Sequence, residues 1–327
     1  MNFITGATGL VGMRLMFDLL SNEQDVVALK RINSDLNLVK RVFNFYGNES
    51  LFDKIIWKDG DVLDVYSLED AMKDCRFVYH TAAMVSFHRN DKIVMFDINV
   101  TGTANVVNTA LVLGVEKMCY ISSTAAVGRS IPGETITEES EWKESTLNSS
   151  YAVSKYQSEL EVWRGIEEGL NAVIVNPSVI IGPGTKGKSS ALLFSKKVPF
   201  YPVGVNAYVS VEDVSTVCLQ LLSSNISNQR YILSSENLDY KTLFSLIANS
   251  MNYNPPIRSA QKWMIKVAWV VEGIVEFFTG KKAAVTKETI RSAGNEVFYD
   301  SSKIRKELNF SFESVETSIA RTGKFYL

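Results

Sequence analysis

Three glycines spaced three residues apart, Gly6, Gly9 and Gly12, stand between the strand-like run Asn2–Thr5 and the helix-period segment Leu10–Leu20. In Thr5-Gly6-Ala7-Thr8-Gly9-Leu10-Val11-Gly12 the glycines permit a tight turn off the strand end and let the backbone approach a pyrophosphate. They also allow the helix to pack closely on the strand. That helix offers unpaired N–H groups and the positive end of its dipole to phosphates. A glycine triplet alone also fits a plain strand-to-helix turn. Its place at the first such junction of an alternating chain assigns Gly6, Thr8, Gly9, Leu10, Val11 and Gly12 to a dinucleotide site.

The alternation continues along the chain. Strand-like runs recur at Asn2–Thr5, Asp25–Lys30, Lys54–Trp57, Phe77–His80, Lys117–Ser122 and Ala172–Asn176. Helix-period segments lie between them, among them Met95–Leu113 and Tyr151–Glu168. Short Val- and Ile-rich strands alternating with helices predict an α/β fold, a Rossmann-type doubly wound parallel sheet covered on both faces. After Asn176-Pro177 the pattern loosens through Gly182-Pro183-Gly184. Residues 1–176 are therefore read as the dinucleotide-binding domain and 177–327 mainly as a smaller C-terminal substrate lobe. Segments near 208–233, Tyr208–Val211 and Arg230–Leu233, are expected to return to the sheet.

Which dinucleotide is held depends on the end of the second strand. A carboxylate there would bind the ribose 2′-OH of NAD, whereas a basic residue suits the extra phosphate of NADP. This chain reads Val26-Val27-Ala28-Leu29-Lys30-Arg31, with no carboxylate until Asp35. Arg31, assisted by Lys30, is expected to select NADP(H) over NAD(H). The plain alternative is a pair of solvated loop cations.

Composition limits the remaining classes. The chain is 46% hydrophobic and 21% charged with net charge −2, which gives no reason to expect a nucleic-acid partner. Cys75, Cys119 and Cys218 are widely spaced, and the histidines are His80 and His88, so neither a disulfide framework nor a metal site is expected. Met1 runs almost directly into the strand-like Phe3-Ile4, which argues against a signal peptide. Trp263–Phe278 is interrupted by Lys266, Glu272 and Glu276, so stable membrane insertion is not expected and a cytoplasmic location is.

Tyr151-Ala152-Val153-Ser154-Lys155 places a tyrosine and a lysine four apart on one helix face. Free tyrosine, with a pKa near 10, is a poor proton carrier at neutral pH, and an adjacent ammonium would favour the phenolate. Upstream, the strand Met118–Ile121 ends in Ser122-Ser123-Thr124, where open α/β sheets bind ligands. A hydroxyl from that trio could hold a carbonyl oxygen while Tyr151 donates a proton.

Together these motifs resemble the extended short-chain dehydrogenase/reductases, the NAD-dependent epimerase/dehydratase family, nearest in pattern to dihydroflavonol reductases and 3β-hydroxysteroid dehydrogenases. The resemblance spans nearly the whole chain. It rests on the glycine turn, Gly60–Asp64, Val78–Ala83, Asn99–Thr103, Ser122-Ser123, Tyr151–Lys155, Asn176–Gly184, Val211–Val214 and Ser302–Leu308. It implies Ser123, Tyr151 and Lys155 as the catalytic set, with Ser122 and Thr124 as lesser alternatives to Ser123. It implies Asp61 and Val62 beside adenine, Ala82 and Ala83 near the cofactor ribose, and Pro177, Ser178 and Val179 by the nicotinamide. Asn99 matches a position near the active site that orders the helix behind it, and Arg31 the NADP-selecting position. The resemblance also implies a homodimer through Met95–Leu113 and Tyr151–Glu168, whose apolar residues include Val106, Leu111, Val153 and Trp163.

Sugar dehydratases of this group carry an Asp-Glu pair where this chain has Ala125-Ala126, so dehydration is not expected. The expected activity is reduction of a ketone or aldehyde by NADPH, or oxidation of the matching alcohol. The rivals are a nucleotide-sugar epimerase and a non-catalytic dinucleotide sensor or scaffold; intact Ser123, Tyr151 and Lys155 argue against the second. His88, the apolar segment Trp263–Phe278 and Lys186-Gly187-Lys188 are left without a role.

Overall fold

The computed structural model describes residues 1–128, 133–185, 189–194, 198–260, 263–264 and 294–327. Its centre is a seven-stranded sheet built from β1 (Asn2–Thr5), β2 (Val26–Lys30), β3 (Ile56–Asp59), β4 (Phe77–His80), β5 (Lys117–Ile121), β7 (Ala172–Pro177) and β11 (Gln229–Leu233). The spatial order is β11-β7-β5-β4-β1-β2-β3, and every pairing is parallel. From β1 the chain winds one way to β3, then returns to β4 and winds the other way. The carboxyl ends of β1 and β4, in register at Thr5 and His80, therefore form the topological switch point where such sheets bind ligands.

Alternation along each strand feeds two cores. Ile4, Cys119, Val173 and Val175 face one layer, and Phe3, Met118, Tyr120 and Ile174 face the other. The first layer holds α1 (Leu10–Ser21), α2 (Leu36–Phe45) and α7 (Val211–Ser223); the second holds α3 (Val65–Met72), α5 (Gly102–Val112) and α6 (Ser150–Glu167). Strands covered on both sides read as unbroken apolar runs because neither face meets water. The helix-period segment expected at Met95–Leu113 is α4 (Lys92–Phe96), a π-helical turn at Asp97–Thr101, and α5. The strand expected at Lys54–Trp57 lies two residues later, because Glu49–Lys54 closes as a 3₁₀ turn first.

The remaining strands form small sheets. β8 (Val179–Ile181) and β12 (Glu236–Asp239) flank β10 (Val205–Ser210), while β6 (Thr135–Ile136) pairs β14 (Phe298–Tyr299) and β9 (Phe200–Tyr201) pairs β13 (Arg258–Ser259). Of the two segments expected to return to the sheet, Arg230–Leu233 does so in β11. Tyr208–Ser210 does not, because the ladder of β10 is filled by β8 and β12. α8 (Tyr240–Ser250), α9 (Ser302–Glu307) and α10 (Val315–Tyr326) complete the described elements. Arg321 of α10 pairs with Glu212 of α7 and with Glu313, and Arg14 of α1 reaches the same Glu212 at 3.9 Å, linking the C-terminal helix through α7 to α1. Among the described residues no helix is long and apolar enough to cross a membrane. Only Trp263 and Met264 of the segment Trp263–Phe278 fall among the described residues; Lys186-Gly187-Lys188 lies outside them.

Candidate active site

The turn after β1 leaves no room for a side chain at Gly6 or Gly12. Gly6 sits at φ +65°, and a Cβ there would stand 2.6 Å from the Ala82 nitrogen. A Cβ on Gly12 would stand 2.3 Å from the Gly6 carbonyl oxygen. The helix behind the turn is open at its head. Side-chain oxygens of Asp35, Asp64, Ser149, Ser210, Asp239 and Ser314 cap α2, α3, α6, α7, α8 and α10, but α1 begins at Gly9 with no side-chain cap and no acid in its first turn. Its free N–H groups suit an anion. Thr8 and Leu10 are half-buried, Gly9 is exposed and Val11 is buried.

Around this cradle, Ala82 and Ala83 follow β4, the Ala82 nitrogen donating to Thr5 Oγ1 at 3.2 Å. Val62 is buried against Gly102. Asp61 Oδ1 accepts from the Leu63 nitrogen at 3.0 Å, holding its own turn. Ser178 follows Pro177, with Val179 next; the Ser178 hydroxyl is buried with no hydrogen-bond partner among the described residues. At the end of β2, Lys30 is ion-paired to Asp59, so Lys30 already has a partner. Arg31 is exposed, and its guanidinium pairs with no acid among the described residues. The tight glycine cradle, uncapped helix, unpaired cation and orphaned hydroxyl together fit a dinucleotide.

The hydroxyl trio separates cleanly. Ser122 Oγ turns inward and donates to Glu159 Oε2 at 2.7 Å, and Thr124 is buried. Ser123 is the one whose side chain lies close enough to act on the Tyr151 hydroxyl, while its Oγ accepts from the Ala125 nitrogen at 3.2 Å. Burial pushes the Tyr151 hydroxyl up from its ordinary range, and the neighbouring Ser123 side chain opposes this.

Lys155 is buried and points elsewhere than the spacing implied. Its Nζ donates to Tyr120 OH at 2.8 Å and to the Ile121 carbonyl at 2.9 Å. The expectation that its ammonium draws down Tyr151 is not met in this geometry, since the groups acting on Tyr151 are its burial and Ser123. Burial lowers Lys155 itself to about 7, with the Glu159 carboxylate opposing. Tyr120 in turn stacks on His80 with centroids 5.3 Å apart. His80 Nδ1 meets Thr5 Oγ1 at 2.7 Å and Nε2 meets Thr103 Oγ1 at 3.0 Å. Burial, then the Lys155 charge, holds this imidazole down to about 3, so it is neutral.

Asn99 works as a brace. Its side chain accepts from the Met84 nitrogen at 2.7 Å and donates to the Met84 carbonyl at 3.0 Å and to Ser154 Oγ at 2.9 Å. Sequence reasoning assigned no role to Tyr120, His80 or Glu159. Glu159 could have been found from its place four residues after Lys155, on the same helix face. There it accepts from Asn176 Nδ2 at 2.9 Å and pairs with Arg230 at 3.4 Å.

A parallel sheet with an open helix head and a Ser-Tyr-Lys group at its carboxyl edge defines a dinucleotide-binding enzyme class. Residues 2–231 match the model of the NAD dependent epimerase/dehydratase family, and the chain belongs to it. It is 28% identical over 331 residues to a putative dihydroflavonol 4-reductase of Synechocystis sp., covering 97% of this chain and 92% of the relative. It is 26% identical over 331 residues to sterol demethylase protein B of Methylococcus capsulatus, covering 97% and 95%. Among solved structures, gox2253 superposes with TM-score 0.80 at 29% identity, covering 99% of this chain and 97% of that one. The UDP-glucose 4-epimerase of Thermotoga maritima superposes with TM-score 0.78 at 18% identity, covering 100% and 98%, a likeness of fold.

Proposed function

We propose that this chain is an NADP(H)-dependent reductase of ketones or aldehydes, or the dehydrogenase of the matching alcohols. The observation that carries this reading is the placing of Ser123 beside Tyr151 at the carboxyl edge of β5, with Lys155 one helical turn from Tyr151. A carbonyl oxygen seated between the two hydroxyls is oriented by Ser123 and protonated by Tyr151. The nicotinamide supplies the hydride when bound. Gly6, Gly9, Gly12 and the head of α1 hold the pyrophosphate, with Thr8, Leu10 and Val11 alongside. Asp61 and Val62 border the adenine, Ala82 and Ala83 the ribose, and Pro177, Ser178 and Val179 the nicotinamide. Lys155 reaches the ribose hydroxyls from its seat on Tyr120. Unpaired Arg31 favours the 2′-phosphate, and Asn99 keeps the loop after β4 in register with α6. We also propose a homodimer, with Ile93, Val94, Val112 and Leu160 exposed on α4, α5 and α6. Val106 is buried inside the subunit and does not belong to that face.

The test is Tyr151→Phe, which removes one hydroxyl and keeps the ring. Ketones, aldehydes and nucleotide sugars are screened for NADPH consumption, and the best substrate is compared in the two proteins. Turnover should drop roughly 10²–10⁴-fold with NADPH affinity unchanged. Near-normal turnover in the variant would end the mechanism.

A further inference from the structure

The loop leaving β4 carries a phenylalanine that the fold holds in the open beside the reaction centre. Phe87 and Val85 are each 47% exposed. The Phe87 ring nevertheless lies edge-on to Tyr151, with centroids 5.9 Å apart and planes at 75°. An apolar ring kept half in water forgoes burial energy, and a slack loop would fold it away.

This loop is not slack. Both backbone groups of Met84 are clasped by the Asn99 side chain, at 2.7 and 3.0 Å. Ser86 Oγ donates to Asp91 Oδ2 at 2.7 Å and accepts from the His88 nitrogen at 3.2 Å. The same Asn99 amide donates to Ser154 Oγ at 2.9 Å, which donates to the Tyr151 carbonyl at 2.8 Å. Phe87 and Tyr151 therefore share one buried anchor, and their spacing is set by the fold.

We propose that Phe87 is a specificity-determining residue whose ring packs against a flat apolar group attached to the substrate's carbonyl carbon. The proposal rests on the reductase reading, which seats the carbonyl oxygen between Ser123 and Tyr151. Val85 extends the same apolar wall. The favoured substrates are then aryl or alicyclic ketones and aldehydes, since aromatic faces gain from offset or edge contacts that a short alkyl group cannot make.

The experiment compares wild type with Phe87→Ala and Phe87→Leu on 4-fluoroacetophenone and on butanone. Turnover is followed by NADPH absorbance, and binding of the fluoroketone to NADP-loaded protein by fluorine NMR. Phe87→Ala should lose roughly ten- to hundredfold in kcat/KM for the aryl ketone. It should stay within about twofold for butanone, with Phe87→Leu between. Equal losses on both ketones would make Phe87 a mere support of Tyr151 and overturn the proposal. So would failure of the wild type to bind the fluoroketone. Binding that weakens in Phe87→Ala with no turnover by any variant would uphold the subsite and instead defeat the reductase reading.

Discussion

Replacing Gly12 by alanine asks whether the turn after β1 is as tight as the structure makes it. A Cβ at Gly12 would meet the Gly6 oxygen at 2.3 Å and the Ala7 Cα at 2.8 Å. Both are backbone atoms and cannot rotate aside, so α1 must lift from the strand. Overpacking of this kind costs about 2–3 kcal/mol. With an unfolding entropy of about 2.1 cal/mol/K per residue, a chain this long should lose about 3–4 °C of Tm. Lifting α1 also withdraws its N–H groups, and losing even one charge-assisted contact should weaken NADPH about tenfold or more. Gly47→Ala is the control. Gly47 has φ +93° with nothing within 4 Å, so alanine there meets only the left-handed strain of about 1–2 kcal/mol, far from the cradle. Calorimetric unfolding and NADPH titration of the three proteins provide the measurement. Wild-type stability and affinity in Gly12→Ala would refute the close packing. Equal affinity losses in both variants would refute its local character.

The remaining predictions concern charge and assembly. Arg31→Ala should cost NADPH roughly tenfold or more in affinity and leave NADH unchanged, read by calorimetric titration of both; equal wild-type affinities would count against NADP selection. Lys155 titrates near 7 when folded against an ordinary 10.5, so between these pH values the unfolded chain holds more protons and stability from this group rises with pH. Its burial penalty is full below about 7 and is relieved progressively up to 10.5. Lys155→Met should therefore show its largest relative Tm gain near pH 6, shrinking toward pH 9, and a difference independent of pH would refute this. Light scattering at micromolar concentration should give a dimer, and Val112→Glu with Leu160→Glu should give a monomer.

The fold was legible because parallel strands buried on both faces leave an unmistakable trace. The first and fourth strands, Asn2–Thr5 and Phe77–His80, match the structure residue for residue. The partnership of β10 was hidden, since Tyr208–Ser210 is as apolar as a sheet strand and only the neighbours β8 and β12 decide where it pairs. Of the candidate site, what spacing along one element made legible was that Tyr151 and Lys155 share a single helix, α6. The site was not legible where contacts cross elements. No linear pattern announces that Lys155 rests on Tyr120, or that Lys30 is taken by Asp59.

The pairing of β11 with β7 has a consequence for folding order and for cutting the chain. Strand residues Gln229–Leu233 dock beside Val173–Pro177 only after β8, β10 and α7 have been laid down between them in sequence. The edge strand of the seven-stranded sheet thus arrives late, through a long loop closure, and its pairing is coupled to the folding of the segment between β7 and β11. A fragment ending near residue 177 would leave β7, buried along its whole length in the intact protein, as a bare apolar edge. Such a fragment should aggregate rather than stand as a free nucleotide-binding module. Any exchange of the chain after residue 177 between related proteins would have to leave the 229–233 strand with the central sheet, through three junctions instead of one.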